Sequence, residues 1–281
     1  MQESDIERLI LEDVPYGDLT THVLGIGSRP GRVTFEARTP LVLSGVTVAR
    51  RIFERSGATV VTVAASGDVL APGALILEAE GLASALFAGW KVAQTTIEWA
   101  SGVATAVHDI VVAARAANPA INVACTRKTV PFTRALSAEA ILAGGGAMHR
   151  LGLSETILVF PEHRTFFEAS ADPLTALARL RTTAPERSIV IEVLTEDDAR
   201  YAAPFADVLQ LEKFSPASVA RVVSSVRKRE DGRPVIAVAG GISASNAAEY
   251  ANTGADLIVT SSPYYARPAE VQVRFNTSDP V

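Results

Sequence analysis

The chain has 281 residues, of which 48% are hydrophobic, so it can bury a large core as one barrel or as two modest domains. Its formal charge of −5, without any run of basic residues, argues against nucleic acid and anionic membranes as partners. A single cysteine excludes an internal disulfide framework and a cysteine-cluster metal site. The polar N-terminus, and the lack of an uninterrupted apolar run of about 18 residues, predict a cytoplasmic protein without a membrane span.

Residues 1 to about 82 alternate short β-like segments with turn signals, a pattern typical of a small α+β domain. One helical stretch, from Val48 to Ser56, interrupts them. The predicted strands are Val33–Ala37, Leu41–Leu43, Thr59–Ala64 and Leu75–Ala79.

A long alanine-rich helix is predicted from Ala83 to Asn118, because its apolar residues recur at helical spacing. Ser101 and Gly102 mark a position where this helix could break. We expect the helix to link the first domain to the rest of the chain.

Beyond Pro119, apolar strands alternate with helices such as Pro173–Thr183 and Ser215–Arg229. Continuous apolar strands in this alternation indicate a parallel sheet covered by helices, either as a barrel or as a doubly wound sheet. The six predicted strands are 121–125, 156–160, 188–193, 207–211, 234–239 and 256–260.

The positions of the polar residues favour the barrel, because nearly every predicted strand ends in side chains suited to chemistry. In (β/α) barrels the carboxyl ends of the strands share one rim, where active sites are built. The polar strand ends are Arg127-Lys128, Phe160 with Glu162-His163, Glu192, Glu212-Lys213, Gly240-Gly241 and Ser261-Ser262.

Cationic residues and glycines concentrate early in this region. Arg127-Lys128 follows one strand, and Gly144–Gly146 shortly precedes His149-Arg150. Taken separately, these segments are also explained by a solvated strand end and by a helix cap with a turn. Taken together, they indicate a binding site for an anionic small molecule.

Two features of the later strands also point to chemistry. Glu192 lies within an apolar strand, where a carboxylate is costly to bury unless it has a partner. The segment Gly240–Ser243 precedes a predicted helix, 244–252, and fits either a plain strand-to-helix turn or a phosphate cradle of backbone N–H groups.

Several motifs occur in the order seen in quinolinate phosphoribosyltransferases, and this resemblance covers nearly the whole chain. It implies an N-terminal α+β domain with its linking helix over residues 1–102, an open seven-stranded (β/α) barrel over 103–266, and a tail, 267–281, that returns to the N-terminal domain. Since only six barrel strands are counted, one is unplaced. The motifs are Leu11-Glu12-Asp13, Gly17-Asp18-Leu19-Thr20, Ala100–Thr105, Thr126–Thr129 with Pro131, and Gly144–Gly146 with His149–Leu153.

The same resemblance implies a homodimer or higher homo-oligomer with shared active sites, phosphoribosyl pyrophosphate as donor and Mg²⁺ as cofactor. The acceptor is expected to bind to Arg127, His149, Arg150 and Lys91, of which Lys91 reaches across the dimer. Lys128 is expected to bind the acceptor or pyrophosphate. Glu192 and Glu212 are expected to hold the ribose hydroxyls and Mg²⁺. Lys213 is expected to add a pyrophosphate contact. The 5′-phosphate is assigned to Gly240, Gly241, Ser243, Ser261 and Ser262.

The chain also departs from the family pattern. Trp90-Lys91 replaces Glu-Arg, Phe160 replaces a substrate-binding lysine, and Glu212-Lys213 replaces Asp-Asn. These changes are similar to those of a pyrophosphorylase branch of the family found beside molybdate transport genes.

The loss of the lysine at Phe160 bears on the acceptor. Quinolinate carries two carboxylates, and leaving one desolvated without a cation costs about 2–5 kcal/mol. We therefore expect an aromatic acceptor that packs on Phe160 and Trp90, or a base with one carboxylate. The alternatives are a quinolinate phosphoribosyltransferase proper, with decarboxylation, and a non-catalytic protein that binds an oxyanion such as molybdate or a phosphorylated metabolite. The pair Glu192 and Glu212 favours catalysis, because two carboxylates repel a polyanion unless metal or sugar hydroxyls intervene.

Overall fold

The computed structural model describes residues 1–167, 173–226 and 234–277, and the chain divides into two compact units. The first unit comprises residues 1–108, 130–145 and the chain from residue 263 onward. The second comprises residues 109–129 and 146–262. Each unit is therefore assembled from segments that are distant in sequence.

The first unit contains a four-stranded antiparallel sheet formed by the first, third and fifth strands of the chain together with the last one. Its helices are α1 (Glu3–Asp13), α2 (Leu19–Val23), α3 (Val46–Ser56) and α5 (Arg134–Ala143). Its strands are β1 (Pro30–Ala37), β2 (Leu41–Val42), β3 (Thr59–Val63), β4 (Val69–Leu70), β5 (Leu75–Leu82) and β13 (Val271–Thr277). Phe35 of β1 and Phe53 of α3 are fully buried and meet edge to face, with ring centroids 5.7 Å apart.

Helix α4 (Ala83–Ala117) is continuous, so a break at Ser101-Gly102 is not observed. The two residues serve packing instead. The Ser101 hydroxyl accepts a hydrogen bond from the Ser44 amide and donates one to the Ser44 carbonyl. A side chain on Gly102 would collide with the backbone of Arg267, so only glycine allows this close approach.

Among the described residues, α4 is the one helix long and apolar enough to cross a membrane. However, 56% of its most apolar 18-residue window is buried within the protein, as in the core helix of a globular domain, so the helix is weak support for a membrane span.

The second unit contains a seven-stranded parallel sheet, with strands β6 (Asn122–Cys125), β7 (Ala147–Met148), β8 (Ile157–Val159), β9 (Ile189–Val193), β10 (Val208–Glu212), β11 (Val235–Ala239) and β12 (Leu257–Thr260). The order is β7-β6-β12-β11-β10-β9-β8. Strand β6 therefore pairs with β12, the last of the series, while the consecutive strands β7 and β8 are not paired. This order is that of a barrel open at one seam, and it excludes the doubly wound sheet. The strand missing from the sequence prediction is β7.

The two faces of this sheet differ. One face carries large aliphatic residues, such as Ile191, Leu209 and Ile236, that are fully buried. The other, which we call the inner face, carries small or polar residues. Register and alternation place them there: Glu192 pairs with Gln210, Gln210 with Ala237, Glu212 with Ala239, and Val259 with Ala124. On the inner face, Ala237, Ala239 and Val259 pack into a small core cluster with Val208 and Leu257.

The helices of the second unit are α6 (Pro161–Arg164), α7 (Pro173–Thr183), α8 (Glu196–Ala202), α9 (Pro216–Val226) and α10 (Ala247–Ala251). The predicted helix 215–229 corresponds to α9, and its residues 227–229 lie outside the described part of the chain. The predicted helix 244–252 is too long, because residues 243–246 form a turn before α10.

Candidate active site

The predicted site residues, apart from Lys91, lie in the second unit at the carboxyl ends of its strands. Parallel strands share this edge, so the residues lie along one rim. Two groups can be distinguished along it. The cationic end comprises Arg127, His149, Arg150, Phe160 and His163. The carboxylate end comprises Lys128, Glu192, Gln210, Glu212, Lys213, Gly240 and Gly241.

Glu192 is the buried carboxylate of the carboxylate end, with a relative exposure of 9%. Its Oε2 accepts a hydrogen bond of 2.6 Å from Nε2 of Gln210 on the neighbouring strand. Burial raises the pKa of Glu192, and the nearby carboxylates Glu212 and Glu162 raise it further. The Gln210 hydrogen bond and the charge of Lys128 act in the opposite direction. Glu192 is thus a carboxyl group that is held in place but costly to ionise.

Arg164, which is not among the sequence-predicted site residues, supports Glu192 from α6. Its Nη2 donates to the main-chain carbonyl of Glu192 at 2.5 Å, and its Nη1 donates to Asp198 Oδ1 of α8 at 2.7 Å. Arg164 therefore fixes the end of β9 relative to the helix that follows Phe160. Gln210 was also missed, although a polar residue within the apolar strand 207–211 was a usable signal; its contact with Glu192 was not readable from the sequence.

The loop after β11 depends on two consecutive glycines in the left-handed region, Gly240 (φ +95°) and Gly241 (φ +73°). A Cβ on Gly240 would lie 2.6 Å from Lys213 Cγ and 3.0 Å from Glu212 Oε1, whereas one on Gly241 would meet open space. Lys213 itself has φ +60°, which is unfavourable for a lysine, and its amide donates to the Ala239 carbonyl at 2.8 Å. Such local strain is typical of functional sites.

The residues predicted to bind phosphate are held by short hydrogen bonds around this loop. Thr260 Oγ1 donates to the Ile242 carbonyl at 2.6 Å and accepts from the Ser262 amide at 3.1 Å. Asn246 accepts from the Ser243 amide at 2.9 Å and donates to the Gly241 carbonyl at 3.1 Å. Ser261 is half-buried at the end of β12. Because α10 has only five residues, the N–H groups of the loop, rather than a helix N-terminus, are the groups that could bind an anion here.

Arg150 is the buried cation of the cationic end, with a relative exposure of 7%. Its guanidinium lies 5.8 Å from the centroid of the Phe160 ring. Within the described residues it has no ion pair within 4.0 Å. Burial lowers the pKa of Arg150, the charge of Arg127 lowers it further, and Glu155 acts in the opposite direction. The arrangement leaves positive charge next to an aromatic ring, which suits an anionic, planar ligand.

Phe160 is also in contact with His163. The two rings stack with centroids 5.6 Å apart and an interplanar angle of 13°. The Phe160 amide donates to His163 Nδ1 at 2.9 Å, so in neutral His163 the proton lies on Nε2. The Phe160 ring is therefore fixed by its own helix rather than by the ligand.

His149 contributes no fixed charge at neutral pH. Burial lowers its pKa, and the adjacent Arg150 lowers it further. Its amide donates to the Cys125 carbonyl at 2.9 Å, continuing the pairing of β7 with β6. The structure explains why two of the residues before His149 are glycines. A Cβ on Gly144 would collide with Ala104 of α4, and Gly145 has φ +82°.

A cation site made by protein side chains alone is not assembled: no group of three or more His, Cys, Asp or Glu residues suited to a metal occurs in the described part of the chain. Glu192 and Glu212 nevertheless fit Mg²⁺, which usually binds one or two carboxylates together with substrate phosphates and water. They would supply its protein ligands when a phosphorylated substrate is bound.

Lys91 lies in the first unit, exposed on α4. Its Nζ lies 4.1 Å from the centroid of the Trp90 ring and 3.1 Å from Gln94 Oε1. Its predicted role in a neighbouring subunit's site stays a prediction.

Comparison with known proteins identifies the family. Residues 18–101 match the N-terminal domain of quinolinate phosphoribosyl transferase, and residues 103–273 match its C-terminal domain. The chain belongs to the quinolinate phosphoribosyltransferase family. It is a pentosyltransferase-type enzyme, and enzymes of this family use phosphoribosyl pyrophosphate and an acceptor.

The relatives fall into two groups. A Rhodobacter capsulatus protein provisionally named pyrophosphorylase ModD is 48% identical over 256 residues, covering 90% of this chain and 97% of the relative. A provisional nicotinate-nucleotide pyrophosphorylase (carboxylating) from Archaeoglobus fulgidus is 30% identical over 258 residues, covering 91% of this chain and 96% of the relative. The crystal structure of NadC from Streptococcus pyogenes is similar with a TM-score of 0.89 and 25% identity, covering 99% of this chain and 97% of that one. The identity is greater to the ModD relative, in agreement with the branch of the family that the sequence resembles.

Proposed function

We propose that the protein transfers the phosphoribosyl group of phosphoribosyl pyrophosphate to a ring nitrogen of a planar acceptor carrying one carboxylate, without the decarboxylation that quinolinate requires. The acceptor nitrogen forms a bond to the anomeric carbon, and the bond from that carbon to pyrophosphate breaks with its electron pair leaving on pyrophosphate. The observation that carries the proposal is the Phe160 ring beside the buried Arg150 guanidinium.

The acceptor is proposed from the charges of the cationic end. Arg127 and Arg150 are the fixed cations, Glu155 offsets part of their charge, and His149 is neutral at pH 7. The second carboxylate of quinolinate would face Phe160, which cannot pair with it. Desolvating that carboxylate without a cation costs about 2–5 kcal/mol, whereas an aromatic acid with one carboxylate avoids this cost and stacks on the ring.

The donor is proposed to lie at the carboxylate end. The N–H groups of Gly240 and Gly241, with the hydroxyls of Ser243, Ser261 and Ser262, would hold the 5′-phosphate. Lys128 and Lys213 would neutralise charge on the departing pyrophosphate. The strained backbone of Lys213 supports this assignment, because a residue with φ +60° needs a reason to be lysine.

Glu192 and Glu212 are proposed to hold the ribose hydroxyls and Mg²⁺ and to stabilise positive charge that develops on the sugar ring. Mg²⁺ would supply charge neutralisation of the leaving pyrophosphate. The Gln210 hydrogen bond keeps Glu192 oriented before the donor arrives.

The assembly is proposed to be a cytoplasmic homodimer in which Lys91 of one subunit reaches the acceptor site of the other. The exposed position of Lys91 on α4 is compatible with this role. A connection to molybdate rests on the name of the ModD relatives and is not part of the proposed chemistry.

The proposal is tested by calorimetric titration with phosphoribosyl pyrophosphate, with and without Mg²⁺, followed by pyrophosphate release with nicotinate or quinolinate as acceptor. We expect Mg²⁺-dependent donor binding and faster release with nicotinate, the pyridine acid with one carboxylate. Faster release with quinolinate would favour the quinolinate enzyme proper. Absence of donor binding in both conditions, with binding of molybdate or phosphate, would favour the oxyanion-binding protein.

A further inference from the structure

Gln210 lies at the centre of the carboxylate end, and the proposed mechanism uses only its Nε2, which orients Glu192. It is buried, with a relative exposure of 5%, and it is in register with Glu192 on β9. Glu212 is two residues further along the same strand, so all three side chains lie on the inner face of the sheet.

Two side-chain oxygens in this cluster, one of Gln210 and one of Glu192, have no hydrogen-bond partner within the described residues. Gln210 Nε2 donates to Glu192 Oε2, while Gln210 Oε1 is buried without a hydrogen-bond partner. Within the described residues, Glu192 Oε1 likewise has no hydrogen bond. Buried polar atoms normally have partners, and an apolar residue at position 210 would avoid the cost of this orphaned oxygen.

The neighbouring residues of the inner face supply no donor for these two oxygens. Gln210 is flanked in the next strand by Ala237, and beyond Glu212 lies Ala239. Glu212, two residues further along the strand, is partly exposed, so a ligand at the rim would approach the amide from that side. The two free acceptor atoms therefore match a ligand with two adjacent O–H donors, which is the chemistry of a vicinal diol.

We propose that Gln210, together with Glu192, accepts hydrogen bonds from the 2- and 3-hydroxyls of the ribose ring, and that Gln210 selects ribose over 2-deoxyribose. The inference rests on the proposed phosphoribosyl donor. Gln210 has two functions: its N–H fixes one oxygen of Glu192, and its carbonyl reads the hydroxyl that distinguishes the two sugars.

The test compares two ligands and three proteins by calorimetry, in the presence of a chelator so that no metal ion mediates binding. The ligands are ribose 5-phosphate and 2-deoxyribose 5-phosphate. The proteins are the wild type, Gln210→Met, which removes both polar atoms at similar volume, and Leu209→Met, which alters the fully buried opposite face of the same strand. Melting temperatures of all three establish that the variants fold.

We expect the wild type and Leu209→Met to prefer ribose 5-phosphate by about tenfold, the effect of one hydrogen bond to a charged or buried group. In Gln210→Met the preference should fall to about twofold or less. If Gln210 had a purely structural role, Gln210→Met would weaken the binding of both ligands equally. The ratio of the two affinities would then be unchanged, which would overturn the inference. A preference that appears only with Mg²⁺ would also overturn it. If the wild type binds neither sugar phosphate, the proposed donor itself fails, which is distinguishable from a ratio that survives the mutation.

Discussion

The cationic and carboxylate ends of the rim are built in different ways. At the carboxylate end, Glu192 is held by Gln210 and Arg164, and the glycine loop is held by Thr260 and Asn246. At the cationic end, Arg150 is buried beside an aromatic ring without an ion pair within the described residues. The first arrangement is held by the protein's own hydrogen bonds, whereas the second leaves a buried positive charge uncompensated. This difference is what the proposed function requires, with a prepared donor site at one end and an acceptor site at the other whose charge the acceptor would balance.

The largest expected effect is that of Glu192→Gln on turnover. The substitution removes the charge that stabilises the sugar in the transition state, so kcat should fall by about 10³-fold. The fold should survive, because the new amide can pair with the Gln210 amide, including its orphaned oxygen. Pyrophosphate release measures the effect, and Glu249→Gln, an exposed change on α10, is the control. Near-normal turnover in Glu192→Gln would remove this carboxylate from the mechanism.

The next largest effect concerns Arg150→Met. Removing the buried guanidinium should raise KM for the acceptor by about 10²-fold, as expected for an uncompensated buried carboxylate of the ligand. The free energy of unfolding should be unchanged or higher, because a buried cation without an ion pair is replaced by an apolar side chain. Kinetics and denaturant unfolding test the two parts. Arg115→Met, at an exposed position of α4, should change neither. A strong loss of stability would mean that Arg150 is structural.

A smaller effect is expected for Lys213→Gly. Glycine adopts φ +60° without strain, so the free energy of unfolding should change by no more than about 1 kcal/mol. The loss of one cation should raise KM for phosphoribosyl pyrophosphate by about tenfold. Lys213→Asn, which also tolerates this backbone conformation, separates the charge from the backbone. An unchanged KM in both variants would show that the strain serves another purpose.

The smallest expected effect is the pH dependence of stability at Glu192. Its pKa in the folded protein is raised from the ordinary value of 4.5, mainly by burial. Below that value the carboxyl is protonated in both states. As pH rises through the raised pKa, the unfolded state gains more from ionisation, so the folded wild type loses stability. Relative to Glu192→Gln, the wild-type melting temperature should therefore fall between pH 4 and pH 8. A constant difference would contradict the raised pKa.

The sequence predicts the rim because its signals are local. Charged or glycine residues that end apolar strands, such as Arg127, Glu192 and Gly240, meet at one edge wherever the strands are parallel. The seventh strand was missed because β7 has only two residues, and its neighbouring glycines resemble a turn. The predicted helix 244–252 begins too early, because the side chain of Asn246 accepts a hydrogen bond from the Ser243 amide and the chain forms a turn there.

Other features depend on contacts that no sequence pattern reports. Arg164 reaches Glu192 from 28 residues away, and Gln210 reaches it from 18 residues away. The left-handed backbone of Lys213 could not be inferred either, since lysine is an unfavourable residue for that conformation. Gly102 resembled a helix break because its partner, the Arg267 backbone, is distant in sequence.

The most direct test of the central claim is the binding of nicotinate and quinolinate to the wild type and to Phe160→Lys, measured by calorimetry with phosphoribosyl pyrophosphate absent. We predict that the wild type binds nicotinate more tightly, and that a cation at position 160 reverses the order by raising quinolinate affinity about 10²-fold. Phe160→Leu, which removes the ring without adding charge, should not raise quinolinate affinity. Tighter quinolinate binding by the wild type, or no gain in Phe160→Lys, would contradict the view that the acceptor has changed at this position.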